Sequence, residues 1–302
     1  MNNRFFTKAA AAAMSLVMST LSMPFSVYAS DQQIMNQTSD GYDYEFWNMN
    51  SAGDTKIVTG EDGAFSCAWD DIENVLFRTG RKLGSVQSWQ DYDDIKYEYD
   101  VDYAPNGNSY MCVYGWSQNP LVEYYIVDAW GDWRPPGAEK PKAEINVDGK
   151  IYDVYSLQRP NQPSIAGPAT FHQYWSVRKD NPASKDEEKN LKGTISVSDH
   201  FAAWDKAGMK LGDLYEVSFN IEGFKSSGEA VVNKAKLTFG GSDAWKYKNA
   251  KTTVTETGTT TTADTETAAT TTVTVTVPKV TTPAVEPDSE GCYFKESFED
   301  GI

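Results

Sequence analysis

The stretch "SYMCVYGWSQNPLVEYYIVD", residues 109–128, has the pattern of two strands joined by a tight turn. Bulky residues alternate along "SYMCVYGW" and again along "LVEYYIVD", and the polar "SQNP" between them ends in a proline. Successive side chains of a strand point to opposite faces, so Tyr110, Cys112, Tyr114 and Trp116 are predicted to share one face. The stretch therefore predicts a β-hairpin with an aromatic face.

Glu123 lies in the middle of the second of these strands, where apolar and aromatic residues surround it. Alternation places it on the same face as Tyr125, and the hairpin is predicted to set it beside Tyr110 and Tyr114. A single carboxylate on a strand ordinarily faces water. Tyrosines around this one are instead what a sugar-binding cleft needs, because flat rings stack on pyranose rings and hydroxyl groups orient an acid.

The same alternation recurs in ten short runs within residues 41–246, with turn residues between them. This pattern predicts an all-β sandwich or a barrel-like jelly roll. The runs are residues 41–50, 63–69, 95–103, 109–116, 121–128, 150–158, 171–178, 193–198, 214–224 and 229–241.

One segment, "SDHFAAWDKAGM", departs from the strand pattern and predicts a single short helix on the outside of the sandwich. Phe201, Ala202 and Trp204 have helical spacing. Asp199 is the predicted N-cap and Gly208 the predicted stop.

The first 29 residues have the composition of a secretory signal peptide, which predicts an extracellular protein. Arg4 and Lys8 precede a short apolar stretch, and Val27, Tyr28 and Ala29 form a small-residue cleavage site. Removing these two positive charges takes the formal net charge from −16 to −18. Such a charge argues against nucleic acid or an anionic membrane as the partner, and a neutral partner is compatible with it.

The composition predicts five segments. A signal peptide (1–29) and an N-terminal segment (30–40) precede the folded domain (41–246). Residues 247–287 are threonine-rich, nearly free of aromatic residues and punctuated by prolines, which predicts a linker without a core. Aromatic residues return in 288–302, which we interpret as the start of a second domain.

Glu222, in "FNIEGFKSSG", is a second strand glutamate in an aromatic setting. Two carboxylates of this kind, far apart in sequence, are the groups that a glycosidase requires. The three cysteines are too few for a disulfide framework, and Cys67 and Cys112 are interpreted as buried thiols, with a bridge between them not favoured. His172 and His200 lack metal-ligand spacing, and His200 is interpreted as a buried structural residue.

Several long motifs within residues 41–240 resemble the family 11 glycoside hydrolases, the endo-1,4-β-xylanases. They are "APNGNSYMCVYGWSQNPLVEYYIVD", "YDVYSLQRPNQPSIAG", "FHQYWSVR", "HFAAWDKAGMKLG" and "EGFKSSG". The resemblance implies a β-jelly roll of two twisted antiparallel sheets that form a cleft. It also implies a secreted enzyme that needs no metal or organic cofactor.

The resemblance assigns roles to residues of this chain. Glu123 matches the nucleophile and Glu222 the general acid/base. Arg159 matches an arginine on the nucleophile side of the cleft, and the motif "PNQPSIAG" resembles the thumb, a hairpin loop over the substrate. The remaining matches are residues expected to bind substrate: Trp47, Tyr114, Tyr125, Gln173, and Pro163, Ser164 and Ile165 at the thumb tip. Tyr110 is added to this set because the hairpin is predicted to bring it to the same face.

Two further positions follow from the same resemblance. Asn74, in "AWDDIENVLF", matches a strand position whose side chain touches the acid/base and tunes its pH range, and an asparagine there implies an optimum near neutrality. Many family members carry a tyrosine six residues before the acid/base. Here Glu216 occupies that place and Tyr215 lies one residue earlier, so this contact is not carried over.

The resulting expectation is a monomeric enzyme that hydrolyses xylan and xylo-oligosaccharides with retention of configuration. A non-catalytic carbohydrate-binding jelly roll would keep the aromatic surface without needing both glutamates. A β-glucan hydrolase on a related fold is the other alternative. Hydrolysis of xylan or of a β-glucan distinguishes these two enzymes.

Overall fold

The structure is a computed structural model that describes residues 26–28, 34–184 and 190–244. Most of the predicted signal peptide, the predicted linker and residues 288–302 lie outside the described residues. Within them the chain forms seventeen strands and one α-helix. Among the described residues, no helix is long and apolar enough to cross a membrane.

The strands form two sheets, as the alternating runs predict. The smaller sheet has the order β1-β4-β5-β16-β7-β13, with β17 paired to β16. Its strands are β1 (Ser26–Tyr28), β4 (Asp54–Thr59), β5 (Phe65–Asp70), β7 (Ile95–Asn106), β13 (Asn190–Ser196), β16 (Ser227–Phe239) and β17 (Ser242–Asp243).

The larger sheet has the order β10-β11-β12-β9-β8-β15-β6-β3-β2, with β14 paired to β8. Its strands are β2 (Ile34–Ser39), β3 (Tyr42–Asn48), β6 (Asn74–Lys82), β8 (Ser109–Gln118), β9 (Val122–Trp130), β10 (Ala143–Val147), β11 (Lys150–Gln162), β12 (Ala169–Arg178), β14 (Asp213–Leu214) and β15 (Glu216–Phe224).

The expectation of purely antiparallel sheets is wrong at one place, because β9 and β12 pair in parallel. Strand β8 contributes the antiparallel neighbour on the other side of β9, as the hairpin predicts. Strands β2, β4, β6, β10 and β17 lie outside the predicted runs. Strand β1 lies inside the predicted signal peptide and pairs with residues 57–59 at the edge of the smaller sheet.

The main core lies between the two sheets and is built from alternate residues of their strands. In β9, Val122, Tyr124 and Ile126 belong to it. The other face of the larger sheet carries a second aromatic cluster, which we call the cleft face, and Tyr125 of β9 belongs to it. Both faces of β8 and β9 are therefore buried, which explains why these two strands are apolar along their whole length.

Helix α1 (Val197–Lys206) packs Phe201 and Trp204 into the main core. The predicted N-cap is wrong. The helix begins two residues earlier than Asp199, with Ser196 as its N-cap, and the side chain of Ser196 bonds to Asp148 rather than capping the helix. Asp199 lies in the first turn, where its negative charge suits the helix dipole. Gly208 follows the helix with a positive φ, as the predicted stop requires.

Candidate active site

Glu123 lies in the middle of β9 with its side chain on the cleft face, and only 3% of its surface is exposed. The neighbouring strands place their donors by register. Gln173 of β12 is directly opposite Glu123 in the parallel pair, and Tyr114 of β8 is opposite Tyr125. The prediction that Glu123 faces an aromatic surface rather than water is consistent with this placement.

Three side chains donate hydrogen bonds to the carboxylate of Glu123. The hydroxyl groups of Tyr114 and Tyr125 lie 2.9 Å and 3.1 Å from Oε1. The amide Nε2 of Gln173 lies 2.6 Å from Oε2. Tyr125 is itself held by the indole of Trp175, which stacks on it with a centroid distance of 3.9 Å. These contacts fix the orientation of the carboxylate before any substrate binds.

Opposing effects act on the ionisation of Glu123. Burial raises the pKa of its carboxyl, because the charged form loses solvation. The hydrogen bonds from Gln173, Tyr114 and Tyr125 lower the pKa, and the charge of Arg159 adds a smaller effect in the same direction. The net direction is upward, so the four groups limit the cost of keeping this buried carboxylate ionised.

Arg159 lies on β11 and is half-buried. Within the described part of the chain it forms no ion pair with Glu123, so the charge of Arg159 acts on the carboxylate at longer range. The predicted role of Arg159 on the nucleophile side of the cleft stays a prediction.

Glu222 lies on β15 with 1% of its surface exposed. Its register partners are Tyr110 on β8 and Leu76 on β6. The predicted place of Tyr110 beside Glu123 is therefore wrong. In the β8–β9 hairpin Tyr110 is opposite Trp130, far along the strand from Glu123, and in the β8–β15 pair it is opposite Glu222. Asn220 donates from Nδ2 to Oε2 of Glu222 over 3.3 Å.

The sequence places Asn220 on the same face as Glu222, but no role for it is predicted there. It is completely buried, and its amide also lies 3.5 Å from the thiol of Cys112. The available signal was its spacing, since a residue two positions from Glu222 on a strand shares its face.

A pocket in the cleft face joins Glu123 to residues of three other strands. Its lining consists of Trp47, Asn74, Leu76, Arg78, Tyr114, Glu123 and Tyr125. The predicted substrate residues Trp47, Tyr114 and Tyr125 therefore meet around the predicted nucleophile. Asn74 is buried in the same wall, but it makes no hydrogen bond to Glu222 in the described structure, and its Oδ1 has no partner there. The amide of Asn220 donates to Glu222, and the contact of Asn74 with the acid/base stays a prediction.

The predicted thumb is the connection of residues 163–168 between β11 and β12. Ser164 is buried, and its hydroxyl donates to the carbonyl of Gly167 at 2.5 Å and accepts from the amide of Ala166 at 3.1 Å. Ser164 thus shapes the turn, while Pro163 is half-buried and Ile165 packs against the cleft-face cluster.

Four charged side chains, which we call the charged cluster, lie along the sheet next to this pocket: Glu45, Arg78, Lys82 and Glu216. Glu216 occupies the place where many family members carry tyrosine, and here its carboxylate pairs with both cations. The departure in sequence therefore corresponds to an ion-pair cluster.

The other predicted structural residues behave as expected. Cys67 and Cys112 are both buried and are not bridged to each other, with Cys67 in the main core and Cys112 in the cleft-face cluster. His200 is completely buried with Nδ1 3.0 Å from Oγ of Ser176, and burial lowers its pKa to about 3. In the described residues, no group of three or more His, Cys, Asp or Glu has an arrangement that could hold a metal ion.

Comparison with known proteins places these features in a family. Residues 39–233 match the model of the glycosyl hydrolases family 11. The chain is 50% identical over 228 residues to the bifunctional xylanase/deacetylase of Pseudobutyrivibrio xylanivorans, which covers 74% of this chain and 36% of that protein. It is 48% identical over 237 residues to endo-1,4-beta-xylanase A of Thermoclostridium stercorarium, covering 77% and 35%. The chain thus spans about a third of the length of these relatives.

The fold has a close counterpart among solved structures. The family 11 xylanase from Neocallimastix patriciarum matches with a TM-score of 0.64 and 35% sequence identity, over 71% of this chain and 99% of that one. Two sheets with one helix are the jelly roll that the motifs imply, and the matched residues include both strand glutamates. The chain belongs to family 11 of the glycosyl hydrolases.

Proposed function

We propose that the protein is a secreted endo-1,4-β-xylanase that hydrolyses internal bonds of xylan with retention of configuration. The observation that carries this proposal is the setting of Glu123, a buried carboxylate oriented by three donors in a pocket lined with aromatic residues. Glu222 supplies the second carboxylate on the same face of the sheet. Aromatic rings suit the flat faces of sugars, and family membership supports the substrate class.

In the first step Glu123 attacks the anomeric carbon as the glycosidic carbon–oxygen bond breaks, and Glu222 transfers its proton to the leaving oxygen. Oε2 of Glu123 accepts one hydrogen bond against two at Oε1, so Oε2 has more lone-pair capacity left for the attack. The product of this step is a glycosyl ester of Glu123.

In the second step Glu222 takes a proton from water, whose oxygen attacks the anomeric carbon and releases Glu123. Glu222 can change roles because the negative charge of Glu123 disappears in the ester. While that charge is present it favours the protonated form of Glu222, and once it is gone the carboxylate form is no longer opposed.

The test compares the release of reducing sugar from soluble xylan and from carboxymethyl-cellulose. A xylanase releases sugar from xylan and lowers its viscosity early, because internal bonds are cut. Release from carboxymethyl-cellulose alone would indicate a β-glucan hydrolase, and binding without release would indicate a carbohydrate-binding module. Proton NMR of fresh product from a xylo-oligosaccharide tests the stereochemistry, since retention gives the β-anomer first.

We also propose that residues 1–29 direct secretion and are then removed. Processing there would remove β1, a three-residue strand at the sheet edge. N-terminal sequencing of the extracellular protein would test this, and an N-terminus at Ser30 is expected.

A chain ended after residue 250 is expected to keep its full activity on short xylo-oligosaccharides. The described core closes at Ala244, which is buried, and the threonine-rich composition that follows cannot add an apolar core. The measurements are initial rates and melting temperature for both chain lengths. A markedly lower melting temperature in the shorter chain would show that the following residues pack on this domain.

Asn74→Asp is expected to move the pH optimum to lower values. Asn74 is buried in the pocket wall with Glu123, so an aspartate there would share protons with the two glutamates. The productive form would then hold one more proton, and that form exists only at lower pH. Profiles of the wild type, Asn74→Asp and the uncharged control Asn74→Ala on soluble xylan test this. An unchanged optimum in Asn74→Asp would contradict the role of this position.

A further inference from the structure

The charged cluster is a closed set of four ion pairs on the cleft side of the larger sheet. Arg78 pairs with Glu216 through Nη1 at 2.9 Å and with Glu45 through Nη2. Lys82 pairs with Glu45 at 2.6 Å and also with Glu216. Each carboxylate therefore contacts both cations, and the cluster has no net charge.

Two members of the charged cluster are deeply buried. The side chains of Arg78 and Glu216 are 5% and 1% exposed. Burial alone would raise the pKa of Glu216, but the charges of Arg78 and Lys82 outweigh burial and hold the pKa below its usual value. Desolvating such charges is costly, and apolar residues in their place often stabilise a protein equally well or better. Stability alone is therefore a weak reason for a buried guanidinium here.

Arg78 connects the charged cluster to the nucleophile through one tyrosine. Its guanidinium carbon lies 4.9 Å from the ring centroid of Tyr114, within the range of a cation–π contact. The hydroxyl of Tyr114 donates to Glu123 at 2.9 Å and accepts from the indole of Trp116 at 2.6 Å. Tyr114 is thus held at its hydroxyl by two partners and at its ring by Arg78.

We propose that Arg78 is a positioning residue for the nucleophile: it holds the ring of Tyr114 so that the hydroxyl points at Glu123, and Glu45 and Glu216 hold Arg78 in place. This inference rests on the proposed function of Glu123. Arg78 acts through Tyr114 rather than on the reacting atoms, so its loss affects kcat more than KM.

Loss of Arg78 is also expected to shift the pH profile in one direction. Four groups act directly on the carboxylate of Glu123: Gln173 on β12, Tyr114 on β8, Tyr125 on β9 and Arg159 on β11. Behind Tyr114 lies Arg78 on β6, and the charges of Glu216 and Glu222 on β15 act on Arg78. The hydrogen bond from Tyr114 lowers the pKa of Glu123. Without it the pKa rises, the nucleophile ionises only at higher pH, and the acid limb of kcat/KM moves upward.

The test uses Arg78→Met/Glu216→Gln, which removes one charge of each sign and leaves the pair of Lys82 with Glu45. We expect kcat on a soluble xylo-oligosaccharide to fall about tenfold or more, with KM changed less than about threefold. The acid limb is expected to move upward by about half a pH unit or more. Arg78→Lys keeps the charge and is expected to retain part of the kcat that the double variant loses. If the double variant does not fold, the same measurements are made on Arg78→Lys.

The control is Lys150→Met, which breaks an ion pair with the buried Asp128 but leaves the cleft intact. For Lys150→Met we expect a lower melting temperature than that of the wild type, with the acid limb of kcat/KM unchanged. Carbon NMR titration of Glu123 gives a readout that needs no turnover. An unchanged kcat and an unchanged titration of Glu123 in both Arg78 variants would overturn the inference. A wild type that does not cleave xylan would instead overturn the proposed function, whatever the variants show.

Discussion

Glu123→Gln is expected to abolish xylan hydrolysis, with a loss on the order of 10⁴-fold or more in kcat. The amide has nearly the shape of the carboxylate but cannot form the glycosyl ester. No other carboxylate in the described pocket lining can replace it, since Glu123 is the one acidic residue among those side chains.

The fold should survive this change because the hydrogen bonds can be rearranged. The amide oxygen of the new glutamine can accept from Tyr114 and Tyr125, as Oε1 of Glu123 does now. Its NH₂ group would then face Gln173, whose own amide can turn to present oxygen. Melting temperature and binding of a xylo-oligosaccharide are therefore expected to stay close to those of the wild type.

The matched control is Glu98→Gln, on an exposed strand position where Glu98 pairs with Lys234. Surface pairs of this kind contribute little, so this variant should keep wild-type rates. The measurements are initial rates and melting curves of the wild type, Glu123→Gln and Glu98→Gln. Turnover by Glu123→Gln within tenfold of the wild type would show that Glu123 is not the nucleophile.

Glu222→Ala is expected to separate the two chemical steps. On xylan, where the leaving group is a sugar, the loss of the general acid should lower the rate on the order of 10²- to 10⁴-fold. On an aryl xylobioside with a dinitrophenolate leaving group, the first step needs no proton. That step should therefore proceed, and the glycosyl ester of Glu123 should accumulate because no base activates water.

The measurement is a burst of dinitrophenolate equal to the enzyme concentration, followed by slow turnover that added azide accelerates. Azide needs no base, and it can occupy the space left by the carboxylate. Glu123→Gln is the control, because it should show neither burst nor rescue. Equal losses on both substrates, without a burst, would contradict the acid/base role of Glu222.

Local alternation was sufficient to predict the faces of β8 and of β9 as far as Val127. Beyond it a bulge in the β8–β9 pair reverses the pattern, so that Ala129 lies in the main core and Trp130 on the cleft face. The hairpin placed Tyr114 and Tyr125 near Glu123, and both donate to it. The error at Tyr110 arose because alternation gives the face of a residue but not its distance along the sheet. Register supplied that distance, and it placed Tyr110 beside Glu222.

Contacts between distant strands could not be read from alternation. The resemblance identified Gln173, but the parallel pairing that sets it opposite Glu123 has no signal in either strand alone. Alternation did not reveal strand β6, since "NVLFRTGRK" contains a glycine and three basic residues, yet this strand carries Asn74 and Arg78 into the pocket wall. The charges of Arg78 and Lys82 are compensated by Glu45 and Glu216 from other strands, so the burial of Arg78 depends on the assembled sheet.

The parallel pair between β9 and β12 has a consequence for how the molecule acquires its activity. Gln173 contacts Glu123 across a separation of 50 residues, while the tyrosine donors lie only 2 and 9 residues away. Closing a long loop costs more entropy than closing a hairpin, and contacts of large sequence separation slow folding. During refolding the hairpin can form early with the two tyrosine donors in place. Gln173, the third donor, reaches Glu123 only after β10, β11 and β12 have packed onto the sheet. Recovered catalysis therefore reports completion of the whole sheet rather than the first appearance of strands.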